Sequence, residues 1–144
     1  MNEENKDKNE NENENVSKVA TKTISAIIKN LSKPVADRHL QTKRQGGAEI
    51  AFISWYHRVK YLDLHAPGWS NEIKRIENIG GKLIITVRLT IPASDGEYFR
   101  EATGQESEST DSWGDSSSNA EAMAFSRASA KFGLGLYLYD HSKR

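Results

Sequence analysis

The chain has 144 residues, enough for one domain with its own core, and its 20 Lys and Arg balance 20 Asp and Glu. It has no cysteine, which excludes disulfides and thiolate chemistry. No apolar run approaches the roughly 20 residues of a membrane-spanning helix, and the N-terminus is too polar for a secretory signal, so a cytoplasmic protein is expected.

Residues 1–15 alternate Asn with Glu and offer only Met1 to a core. Such a segment cannot offset its ordering entropy by burial, so it is read as a disordered acidic tail, with 16–144 as the folded domain. The tail carries six acids against two lysines. Residues 16–78 hold eleven Lys and Arg against five acids, residues 79–118 three against seven, and residues 119–144 four against two. Two basic sections thus flank an acidic one, although a well-mixed soluble surface accounts for the charges too.

Ser17 is placed to cap a first helix running to about Leu31, with Ala20, Ile24, Ile27, Ile28 and Leu31 on one stripe and Pro34 beyond its end. A short helix is expected over 34–41, a turn at Gln45-Gly46-Gly47 and a brief strand over 49–53. Ser54 then caps a helix from Trp55 to about Leu64. Trp55, Val59 and Leu62 share one of its faces, and Arg58, Tyr61 and His65 another. Strands are expected at 69–77 and 97–103. Between them Leu83, Ile85, Val87, Leu89 and Ile91 alternate strictly with their neighbours, as in a strand with one buried face. Residues 104–118 read as a polar loop. Ser118 and Glu121 match a capping box that opens a helix to about Phe132, which Gly133 ends. The order predicts an α+β fold: an antiparallel three-stranded meander packed with helices.

No catalytic constellation emerges. The four histidines lack zinc spacing, and no phosphate loop for ATP is present. Arg127 and Lys131 lie four apart on the last helix, which suits a phosphate-tracking groove; cations in a helix's last turn are also favoured by its dipole. Arg58 sits among Trp55, Tyr56, His57 and Tyr61, a mixture that single-strand binders use for stacking and phosphate contact and that ordinary cores contain as well. Lys60, Lys74 and Arg88 add positive charge near the sheet. As neighbours in the expected strand, Lys74 and Arg75 point to opposite faces and cannot both enter one groove.

Two stretches carry a family resemblance. The first is Arg44-Gln45-Gly46-Gly47, then Ile50-Ala51-Phe52-Ile53, His57-Arg58-Val59 and Gly68-Trp69. The second is the Ala-rich helix that leads into Phe132-Gly133-Leu134-Gly135-Leu136-Tyr137-Leu138-Tyr139. Together they resemble the conserved N-terminal DNA-binding domain of the Rad-fifty-two recombination protein and its single-strand annealing relatives. The second stretch is close to the bacterial and phage form.

The resemblance implies a β-β-β-α core whose subunits join into a ring, with a basic groove that holds single-stranded DNA. It puts the groove arginine at Arg58. It puts a basic cluster at Ser126, Arg127 and Ala130, where only Arg127 is basic; Lys131 is displaced by one position, about 100° around the helix.

The expected function is ATP-independent binding and annealing of single-stranded DNA in homologous recombination and repair, without enzymatic activity or cofactor. Arg58, Arg127, Lys131, Lys60, Lys74 and Arg88 are the candidate DNA contacts. A homo-oligomeric ring, a single-strand-binding protein as candidate partner and a nucleoid-associated location complete the expectation. Two alternatives are a small metal-dependent nuclease using Asp95, Asp111 and Asp115, and a self-assembling adaptor that binds protein only.

Overall fold

The computed structural model describes residues 21–107 and 116–140. The expected tail at 1–15, the Ser17 cap, Asp111 and Asp115 lie outside the described residues.

Helix α1 spans Ile24–Leu31 and starts later than the Ser17 cap would place it. Thr23 is extended and caps it, its hydroxyl accepting the Ala26 amide at 3.2 Å. The helix start is also held from afar. The Ile24 amide donates to the Asp95 carboxylate at 3.0 Å, and the Ser94 amide donates to the Lys22 carbonyl at 2.8 Å. An acid at this end complements the helix dipole. Ile24, Ile27 and Leu31 bury the expected stripe.

The short helix expected over 34–41 shrinks to one 3₁₀ turn, Asp37–His39. A hairpin comes next: β1 (Leu40–Gln45) pairs antiparallel with β2 (Ala48–Ile53) through Gly46 and Gly47, both at positive φ. Helix α2 runs Trp55–His65. Its buried residues are Arg58 and Leu62, whereas Trp55 is 54% exposed, so the helix turns its arginine inward and its tryptophan outward.

The main sheet is the expected meander, in the order β3 (Ser70–Ile79), β4 (Lys82–Ala93), β5 (Gly96–Ser107). Ile85, Val87, Leu89, Ile91 and Ala93 of β4 are buried on its inner face. In β3 the register shifts between Ile73 and Arg75. Lys74 is the bulged residue, so Ile73 and Ile76 share the inner face opposite Val87 and Ile85, and Arg75 faces outward beside Thr86. The core does not cover this edge strand, and Ile73, Ile76 and Ile79 remain 46–62% exposed.

Of the polar loop expected over 104–118, residues 104–107 belong to β5, which extends alongside all of β4, and residues 108–115 lie outside the described residues. Helix α3 (Ser116–Lys131) opens two residues before the anticipated Ser118 cap. Ala120, Ala124 and Ala128, one turn apart and fully buried, bring its backbone down onto β4 and β5. Opposite them is Gly104, where a Cβ atom would lie 1.9 Å from the Ala120 carbonyl oxygen and 2.6 Å from the Ala124 nitrogen. A side chain at this position would require the helix to lift off the sheet. Gly104→Ala is therefore expected to destabilise the fold by about 3 kcal/mol, measured as a lower urea midpoint with an unchanged m-value.

Candidate nucleic-acid interface

The hairpin β1–β2, the start of α2, helix α3 and the C-terminal 3₁₀ turn (Leu136–Tyr139) enclose an open groove of about 630 Å³. Lys43, Arg58 and Arg127 line it together with Phe52, Trp55, Tyr56 and Tyr139, and Glu106 is its one lining acid among the described residues. Three cations against one carboxylate, interleaved with four aromatic rings, suit a polyanion carrying planar groups.

Arg58 is the innermost cation, 2% exposed. Its Nη1 donates to Ser129 Oγ and to the Leu134 carbonyl, both at 2.8 Å, and its Nε donates to the Ile53 carbonyl at 3.4 Å. Burial pushes its pKa down, while the nearby Tyr139 phenol acts in the opposite direction. A guanidinium nonetheless stays protonated in proteins. Among the described residues no carboxylate pairs with it, so its charge is compensated by neutral oxygens alone. The turn below it is equally constrained. Gly135 sits at φ 68°, and a Cβ there would lie 2.7 Å from Ile53 Cδ1 and 3.2 Å from Arg58 Nη2.

Beside Arg58 lies the N-terminus of α2. Ser54, its N-cap residue, makes no side-chain cap bond, and its hydroxyl is buried without a partner among the described residues. The first-turn amides of a helix have no intrahelical acceptor. Ser54, Trp55, Tyr56 and Arg58 all line the groove, so the start of α2 forms part of its wall.

The remaining candidates divide. Arg127 lines the groove from α3 and also donates to the Thr103 carbonyl at 2.6 Å. One turn later, Lys131 donates to the Glu101 carbonyl at 2.5 Å. Both cations thus occupy carbonyls of β5, an edge strand. Arg88 lies on the outer face, ion-paired with Glu101 at 2.6 Å and stacked over Phe99. Lys74 pairs with Glu72 at 3.2 Å on the bulge. Lys60 is exposed on α2, outside the groove. Tyr61, grouped with Arg58 from sequence, instead packs against His39, its hydroxyl 2.6 Å from Nδ1.

The structure thus brings Arg58 and Arg127 together and leaves Lys131, Lys60, Lys74 and Arg88 outside. It adds Lys43, whose ammonium sits 5.0 Å from the centre of the Phe52 ring, and Tyr139. A hairpin reading of 40–53 would have found Lys43, because that register sets it diagonally opposite Phe52. Asp95 is committed to the start of α1, and among the described residues no group of His, Asp and Glu could hold a metal ion.

Residues 23–144 match the model of the Rad52/22 family of double-strand break repair proteins. The chain is 38% identical over 121 residues to DNA repair RAD52-like protein 1, mitochondrial, of Arabidopsis thaliana; the match covers 83% of this chain and 69% of that protein. It is 39% identical over 125 residues to DNA repair RAD52-like protein 2, chloroplastic, of the same plant, covering 83% of this chain and 62% of that protein. Both relatives are eukaryotic, so a bacterial or phage affiliation does not follow from them. Their mitochondrial and chloroplastic names overturn the expected cytoplasmic, nucleoid-associated location. The polar N-terminus and the lack of a long apolar run, on which that expectation rested, do not bear on targeting to organelles.

Because Arg58 satisfies three buried acceptors, Arg58→Ala is expected to lower stability by about 2–3 kcal/mol in urea unfolding. Arg127→Ala, at an exposed site, should stay within about 1 kcal/mol of wild type.

Proposed function

The chain belongs to the Rad52/22 family of double-strand break repair proteins, and from that premise we propose that it binds single-stranded DNA in the groove between hairpin and α3 and anneals complementary strands without ATP. As a member of that family it is not an enzyme. Its role is in homologous recombination and DNA repair. The observation that carries the reading is the gathering of Lys43, Arg58 and Arg127 around four aromatic rings at the start of a helix.

In this reading Arg58, the Ser54 hydroxyl and the α2 amides take a backbone phosphate at the groove's closed end. Lys43 and Arg127 hold neighbouring phosphates along its walls. The exposed rings of Trp55 and Tyr56 offer faces on which bases stack, which keeps the strand extended and its pairing edges open. Lys131 supports Arg127 from the next turn, while Lys60, Lys74 and Arg88 act through the wider field of the surface. Self-association into a ring would line up successive grooves, and the uncovered isoleucines of β3 supply apolar surface for it. A single-strand-binding protein is a candidate partner.

The test mixes two complementary labelled oligonucleotides with wild type, Lys43→Ala and Arg127→Ala. Wild type is expected to accelerate annealing, and both variants to slow it while staying within about 1 kcal/mol of wild-type stability in urea unfolding. Each lost phosphate contact should also reduce the slope of log affinity against log salt by about 0.7. Equal annealing rates with and without protein would rule the function out; unchanged slopes in the variants would rule out the groove.

A further inference from the structure

The groove's three cations, Lys43, Arg58 and Arg127, face one lining acid, and none of the three is ion-paired among the described residues. The same chain carries the opposite pattern in residues 1–15. Glu3, Glu4, Asp7, Glu10, Glu12 and Glu14 stand there against Lys6 and Lys8, with no apolar residue beyond Met1. From Glu10 to Glu14 an acid occupies every second position. In any extended chain alternate residues point to one side, about 6.6 Å apart. Such a run is a polyanion, the class of ligand that the groove suits, but it lacks planar bases to stack.

The acids are tied closely enough to meet the groove. The Lys22 carbonyl accepts from the Ser94 amide beside the β4–β5 turn, and Glu106, at the groove, lies ten positions along β5 from Gly96. At about 3.4 Å per residue that run measures about 34 Å. The twelve residues from Lys22 back to Glu10 reach about 40 Å, and Asp7, Glu4 and Glu3 reach farther. We propose that the acidic segment, residues 1–15, occupies the groove of its own chain and is displaced by the strand that binds there. The proposal rests on the groove reading and adds a regulator to that site. A tethered segment whose linker spans the distance meets its site at an effective concentration on the order of millimolar. Each carboxylate contact at an exposed wall is weak. A strand with more charges and with bases to stack therefore removes the segment, whereas a short or weakly stacking polyanion does not. Lys22, Lys29 and Lys33 lie nearer in the chain and are the competing cations.

The experiment compares the full chain with a full-length variant in which the six acids become their amides: Glu3→Gln, Glu4→Gln, Asp7→Asn, Glu10→Gln, Glu12→Gln and Glu14→Gln. Binding of labelled oligo(dT) is measured at several salt concentrations. The variant is expected to bind at least about threefold tighter at low salt, with a steeper slope of log affinity against log salt, because the wild-type chain must first give up its own ion contacts. General repulsion by the acids would also tighten the variant, so a second readout fixes the place. A carbodiimide joins a carboxylate to a neighbouring amine, and Lys43 is the groove's one lysine among the described residues. Wild type should yield a cross-link from the acidic segment to Lys43 that excess oligo(dT) abolishes. Cross-links to Lys22, Lys29 or Lys33 alone, or a Lys43 cross-link that persists with oligo(dT), would overturn the docking. So would cross-links that join an isotope-labelled chain to an unlabelled one. Equal affinities and slopes with normal salt-sensitive binding would overturn this inference and leave the groove standing. Absence of salt-sensitive binding in both proteins would overturn the groove reading and this inference with it.

Discussion

A single guanidinium joins the end of the hairpin to a stretch of chain that lies 71 to 76 residues farther on. Arg58 hydrogen-bonds the end of β2 through Ile53, the last turns of α3 through Ser129, and the turn beyond it through Leu134. Hairpin, groove-side helix and C-terminal turn therefore take their mutual positions from one buried side chain, and the groove is the space between them. The planar fork of arginine suits this work, since one rigid group meets several acceptors that a lysine ammonium could not serve together. Among the described residues no carboxylate pairs with it, and this gives the same residue a second property. Its charge is held by neutral oxygens and is not cancelled by a paired acid among the described residues.

The cations of α3 show a related economy on the opposite wall. Arg127 and Lys131 reach over the edge of β5 to the Thr103 and Glu101 carbonyls. These contacts fix the rotation of α3 against the sheet, alongside the alanine stripe packed over Gly104. The two residues differ in their second face: Arg127 looks into the groove, whereas Lys131 does not. Four residues apart, the two point to nearly the same side of the helix, about 40° around its axis, which is why both reach the edge of β5.

The sheet was legible because β4 alternates without a break and each end of it carries a turn signal. Helix α3 was legible in kind but not in its start, since three consecutive serines at 116–118 all qualify as caps. Strand β1 was missed because Leu40–Gln45 has no apolar alternation; pairing with β2, not burial, makes it a strand. The inward turn of Arg58 was hidden for another reason. Its partners are two backbone carbonyls and a serine, and backbone acceptors leave no mark in a sequence. For Trp55 the sequence left stacking and core filling side by side, because a large aromatic suits both; here it is half-exposed and lines the groove.

The bulge at Lys74 bears on how the molecule avoids unwanted contacts in solution. Strand β3 is an edge with exposed isoleucines, the kind of surface that templates runaway strand addition. An extra residue at Lys74 breaks the regular ladder in mid-strand, and Glu72, Lys74, Arg75 and Glu77 interleave charge with the isoleucines. A flat strand from another chain would meet a kink and a row of charges before it could pair along the full length. The exposed isoleucines are therefore kept from amyloid-like stacking by the strand that carries them, through a kink and alternating charge instead of burial.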